Sequence, residues 1–225
     1  MQHPTRHIGL IGGIGPAATV VYYQRLVAGA AARGRSLRLT IANADVQVLA
    51  RNAEDGNSRA QATAYGVHLA ELKGAGAEFA SITSLGGHFC FAQTEAVSPL
   101  TLISAIAPMD AGFAARGLKT VGLLGTRQVA GSALYGQLHQ TRALAPVDLD
   151  LVHDTYIKIA ISGACPANAR DVLIGEGQRL IDRGADAVVL AGTDLGLAFD
   201  GVDPGYPVLD ALDLHVEHLL DLACD

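Results

Sequence analysis

Tryptophan is absent from this sequence, and only 5% of its 225 residues are aromatic. A core must therefore be packed from Ala, Val, Leu and Ile, and a chain of this length has enough of them for one large domain or two half-size lobes. Cysteine is scarce. Cys90, Cys165 and Cys224 show no metal-ligand spacing and cannot all pair within the chain, which argues against a disulfide framework and for a reducing, cytoplasmic setting. Positive charge is also short, with 16 Lys and Arg against 22 Asp and Glu and a net charge of −6. The basic residues are scattered, so nothing makes an electrostatic footprint for nucleic acid or an anionic membrane. The opening "MQHPTRHIGLIGG" lacks an apolar signal core, and no later apolar run is long enough to span a bilayer.

What the chain does have is alternation. Short apolar runs near 7–12, 37–43, 78–84, 100–104, 119–124, 147–152 and 186–191 read as strands. Helical patterns near 16–33, 58–74, 88–96, 129–141, 167–183 and 208–223 lie between them. This order predicts an α/β fold of parallel sheets covered by helices. The segment "AVSPLTLISAIAP" is expected to lead from one lobe to the next. The division expected is 1–104 plus 208–225 for the first lobe and 105–207 for the second.

Two internal echoes suggest that the lobes are duplicates. "GAEFASITSLGGHF", from Gly76, keeps step with "GADAVVLAGTDLGLAF", from Gly184, at an offset of 108 residues, and this sets Ser84 opposite Gly192. "HIGLIGGIGPAAT", from His7, resembles "TVGLLGTRQVAGS", from Thr120, at an offset of 113.

In open parallel sheets ligands bind beyond the carboxyl ends of the strands. The residues to watch are Gly13, Ile14, Gly15, Thr19 and Asp45, the run Ser84-Leu85-Gly86-Gly87-His88, and then Thr126, His153-Asp154 and Gly192-Thr193-Asp194. "GIGPAA", Gly13 to Ala18, admits three readings. It formally satisfies a dinucleotide fingerprint, but the acid expected about twenty residues further on is missing. A helix start that holds a carboxylate through backbone N–H groups is the second reading, and a purely structural turn is the third.

Taken together, the motifs resemble those of the cofactor-independent aspartate/glutamate racemases. The match rests on "GGIGPAAT" followed by "VVYYQRLV", on "VGLLGT", on "GADAVVLAGTDLGLAF", and on "PVLDALDLH" near the end. The resemblance implies two Rossmann-like lobes related by a pseudo-twofold, with a small carboxylate or amino acid held in a cleft between them. It also implies a homodimer with no pyridoxal phosphate, metal or other cofactor. The family mechanism uses one cysteine per lobe, on opposite faces of the substrate Cα.

Neither thiol is present. His88 matches the family histidine, which sets Ser84 at the first cysteine position, and Gly192 stands at the second, followed by Thr193 and Asp194. A serine cannot act as a base without an activating partner, and glycine offers no side chain. Two-cysteine racemisation is therefore not expected. His88 could act with Ser84 as acid or base, or be a helix-start histidine bonded to backbone. Asp194 could orient a ligand or cap a turn. Cys90 reads as a small buried hydrophobe and Cys165 as a loop thiol without an assigned role. His215 and His218 share a helical face with no third metal ligand, which reads as a solvated or interface flank. Two functions stay open: an isomerase- or lyase-type enzyme moving a proton on a small carboxylic or amino acid, with Ser84, His88, Gly192, Thr193 and Asp194 as its catalytic set and Gly13, Ile14, Gly15, Thr19, Asp45, Gly86, Gly87 and Thr126 holding substrate, or a non-catalytic small-carboxylate-binding protein on the same scaffold.

Overall fold

The computed structural model describes residues 3–13 and 16–225. The fold is α/β and divides into two compact units, Met1–Ala105 with His215–Asp225, and Ile106–Leu214.

The first unit holds β1 (His3–Gly12), α1 (Pro16–Ala32), β2 (Arg35–Asn43), α2 (Val46–Glu54), α3 (Ser58–Gly74), β3 (Phe79–Ile82), α4 (Phe91–Val97) and β4 (Thr101–Ile103). All strand pairs are parallel, in the order β2-β1-β3-β4. β3 is buried at every position, which is why it reads as a continuous apolar run rather than an alternating one. Asp45 accepts from Gln47 N–H to start α2, and Asn57 accepts from Ala60 N–H to start α3. Tyr65, Leu69 and Leu72 of α3 pack with Ile11, Ala80 and Ile82 in one core cluster.

The second unit holds α5 (Ile106–Ala115), β5 (Thr120–Gly125), α6 (Arg127–Gly131), β6 (Arg142–Leu144), α7 (Leu149–Ser162), α8 (Ala167–Asp182), β7 (Ala187–Ala191), α9 (Gly196–Phe199) and β8 (Val208–Asp210). Its sheet is parallel and runs β6-β5-β7-β8, the same order as the first. α10 (Ala211–Cys224) follows, and its residues from His215 onward belong to the first unit.

Two expectations are corrected. Residues 147–152 form no strand: Asp148 accepts from Leu151 N–H and opens α7, which buries Val152, Tyr156 and Ile159 at helical spacing. The second-lobe edge strand lies earlier, at β6. The segment 208–214 belongs to the second unit, because β8 hydrogen-bonds along β7. No helix among the described residues is long and apolar enough to cross a membrane.

The duplication is visible at the level of single contacts. Glu78 Oε1 accepts from His7 N–H at 2.8 Å, and Asp186 Oδ2 accepts from Thr120 N–H at 2.8 Å. Each acid sits just ahead of its own strand and holds the neighbouring central strand, Glu78 at the fifth residue of β1 and Asp186 at the first of β5. A Cβ at Gly9 would meet Leu72 of α3 at 3.1 Å, and one at Gly122 would meet Leu180 of α8 at 2.7 Å. In both units a strand glycine lets a helix leucine approach the sheet.

Candidate functional site

At the end of β3 the chain turns sharply around the Ser84 carbonyl. That oxygen accepts from Gly87 N–H at 3.1 Å and from His88 Nδ1–H at 2.8 Å. His88 Nε2 accepts from Ala105 N–H at 3.0 Å. The ring is fully buried and stacks on Phe91, and burial lowers its pKa to about 4. His88 is thus neutral at physiological pH, with both ring nitrogens bonded to backbone. Of the two readings open for this residue, the geometry shows the backbone-bonded one, and there is no Ser–His dyad. Ser84 itself is half-buried in extended backbone, and its hydroxyl makes no capping bond.

The two glycines of this turn differ. A Cβ at Gly87 would lie 2.5 Å from the Tyr65 hydroxyl and 2.9 Å from Ile82, so the α3 side of the turn admits only glycine. A Cβ at Gly86 would stand 3.3 Å from Ser84 Oγ, so glycine there leaves the hydroxyl uncrowded.

Around the first glycine loop, Gly13 has φ +127°, and a Cβ would fall 2.3 Å from the Ala44 carbonyl. Ile14 and Gly15 lie outside the described residues. Thr19, expected to touch substrate, is instead buried inside a lock. Thr83 Oγ1 donates to the Ile11 carbonyl at 3.0 Å, so the Thr19 hydroxyl donates to Thr83 Oγ1 at 2.9 Å. The lock joins α1 to the ends of β1 and β3, one residue before Ser84. Asp45 is exposed and spends Oδ1 on the α2 cap.

His215 corrects another expectation. It is fully buried rather than solvated. Ser81 Oγ donates to the Ile103 carbonyl at 2.8 Å, which makes it the acceptor for His215 Nε2–H at 3.0 Å. The Tyr22 hydroxyl then donates to His215 Nδ1 at 2.6 Å. Burial holds this imidazole well below its ordinary pKa. Among the described residues no group of three His, Cys, Asp or Glu side chains is placed to hold a metal ion.

At the end of β5, Thr126 caps α6 through Val129 N–H, and Arg127 N–H donates to His153 Nδ1 at 3.2 Å while its side chain pairs with Asp150. At the end of β7, Gly192 has φ −170°, an extended conformation open to any residue. Thr193 and Asp194 follow in a short 3₁₀ turn and are half-buried.

Sequence reasoning missed Tyr156. It projects from α7 so that a Cβ at 192 would lie 2.8 Å from Cζ, 2.8 Å from the hydroxyl and 2.9 Å from Cε2. Its hydroxyl donates to Asp194 Oδ2 at 3.3 Å. Burial and the Asp194 charge push the phenol well above its usual pKa, so it remains a hydrogen-bond donor. The signal was hidden because the start of the α7 segment reads as a strand; the i, i+4 pairing of Val152 with Tyr156 is what would have exposed it.

Comparison with known proteins agrees with this architecture. The Asp/Glu/Hydantoin racemase family model matches residues 11–219, and the chain belongs to that family. A search of curated proteins finds no match. A Yersinia pestis protein provisionally described as an Asp/Glu racemase superposes with TM-score 0.89 at 22% identity, covering 98% of this chain and 100% of the other. An aspartate racemase homologue from Pyrococcus horikoshii gives 0.82 at 21%, with 98% and 100% covered. An arylmalonate decarboxylase gives 0.57 at 16%, with 96% and 93% covered. At these identities the likeness shows the fold.

Proposed function

We propose that the protein acts on a small carboxylic or amino acid by cofactor-independent proton transfer from one face only, with Asp194 as the proton acceptor. The observation that carries this reading is the chemistry of the two strand ends. After β3, both ionisable side chains of the turn are committed: His88 has both ring nitrogens bonded to backbone, and Cys90 is fully buried with its thiol donating to the Gly87 carbonyl. After β7, Asp194 keeps a carboxylate half-exposed and aligned by the Tyr156 hydroxyl. A base can act only where it reaches the proton, so Asp194 is the remaining candidate at either end. Membership of the racemase family supports a small amino acid or carboxylate as ligand, and the arylmalonate decarboxylase neighbour supports lyase chemistry as an outlet for the same carbanion.

Solvent-deuterium exchange at Cα tests it, using aspartate, glutamate and a panel of small dicarboxylates followed by proton NMR. Exchange without inversion, lost in Asp194→Asn, is the expected result. A second reading, a binding protein without catalysis, is favoured by the tied imidazole of His88 and the absence of a side chain at 192. Saturable calorimetric binding of a dicarboxylate with no exchange in any substrate would select it.

A further inference from the structure

We infer that Tyr156 is the specificity-determining residue of the second lobe: its ring takes the place that a proton-carrying side chain at 192 would need, and its hydroxyl aligns Asp194 instead. This rests on the functional reading above for its chemical meaning, but its geometry stands without it.

Backbone conformation does not exclude a side chain at 192, since φ −170° is ordinary extended backbone. The exclusion is steric. Three atoms of the Tyr156 ring tip lie 2.8–2.9 Å from the would-be Cβ, well inside the roughly 3.5–4.0 Å at which carbon atoms rest. The ring cannot simply swing aside. Tyr156 belongs to the same core cluster as Val152, Ile159, Val188 and Leu195, and it is 9% exposed. The polar end is equally committed, because the hydroxyl donates to Asp194 Oδ2. Trimming the ring therefore does two things at once: it opens space beside Gly192 and frees Asp194 from its donor. A thiol placed at 192 alone gains no room to work.

The test is a double-mutant cycle with two readouts that need no ligand. Gly192→Cys alone should lower the thermal midpoint by at least about 5 °C, as an overpacked site does. In a Tyr156→Leu background the same change should cost less than about 1 °C, and the thiol it introduces should react with a small disulfide reagent at least about tenfold faster. Tyr156→Phe keeps the ring and should leave most of the penalty in place. Tyr156→Met is the second truncation should the leucine variant not fold. Equal penalties for Gly192→Cys with and without the ring would overturn the inference.

Activity supplies the chemical arm. In an Asp194→Asn background, Gly192→Cys should not restore deuterium exchange at aspartate Cα, and adding Tyr156→Leu should raise exchange at least about tenfold above the detection limit. Exchange restored by Gly192→Cys with Tyr156 intact would also overturn the inference. Positive coupling in the cycle with no exchange restored after Tyr156→Leu would uphold the steric assignment and count against the amino-acid reading of the site.

Discussion

Acidification should destabilise the first unit through its buried histidines well before its carboxylates titrate. His88 is fully buried and its pKa is lowered to about 4, because burial penalises the imidazolium and only the Ser84 carbonyl favours it. In the unfolded chain a histidine titrates near 6.5. Between these values the unfolded state binds more protons, so stability rises with pH across that window and falls as pH drops through it. The stabilisation is fully present above about pH 6.5 and is lost progressively toward pH 4. A difference of about 2.5 pH units at 1.36 kcal/mol each puts the loss from His88 near 3 kcal/mol. His215, fully buried between Tyr22 and Ser81, shifts in the same direction and adds to the slope.

Urea unfolding across a pH series from neutral down to about 4.5 measures this. With no tryptophan in the chain, far-UV circular dichroism is the suitable probe. The midpoint should fall by about 1 M or more over that range, given the urea sensitivity usual for domains of this size. The His88 and His215 ring protons should hold constant chemical shifts in the native protein from about pH 8 to pH 5. A midpoint that stays flat down to about pH 5, or a His88 resonance titrating near the unperturbed value of about 6.5, would refute the burial argument.

Two further outcomes follow from the strand ends. Gly13→Ala should destabilise the protein by several kcal/mol or prevent folding, since the new methyl meets the Ala44 carbonyl and φ is +127°; thermal unfolding of the soluble fraction measures it. Thr83→Val should cost about 1–3 kcal/mol, because the buried Thr19 hydroxyl loses its acceptor while the Ile11 carbonyl keeps only the residue-83 N–H; a urea midpoint unchanged from wild type would show the lock to be dispensable.

Much of the fold was legible because duplicated motifs sit where backbone geometry allows few residues. The Gly-Ala-acid runs from Gly76 and Gly184 mark the starts of β3 and β7, where Glu78 and Asp186 hold the neighbouring strands. The two echoes, at different offsets in sequence, meet at the same hydrogen bond in each unit. Strand-end residues were legible for the same reason, and Ser84 and Gly192 do follow corresponding strands of sheets with one order. Side-chain roles were not. His88 stayed open to two readings because sequence cannot show that Ala105 N–H lies against Nε2. Thr19 looked like a ligand contact because its partner, Thr83, comes from the end of another strand. His215 looked like a solvated or interface flank because the groups that bond it, Tyr22 and Ser81, lie on α1 and β3. Tyr156 was the hardest to see, since "VDLDLV" alternates like a strand while Asp148 caps it as a helix. What separates the legible from the hidden is the range of the interaction. Turns and strand starts are written in adjacent residues, whereas the group that fills the space beside Gly192 comes from α7, with the whole of α8 and β7 between them in sequence, and only packing brings it there.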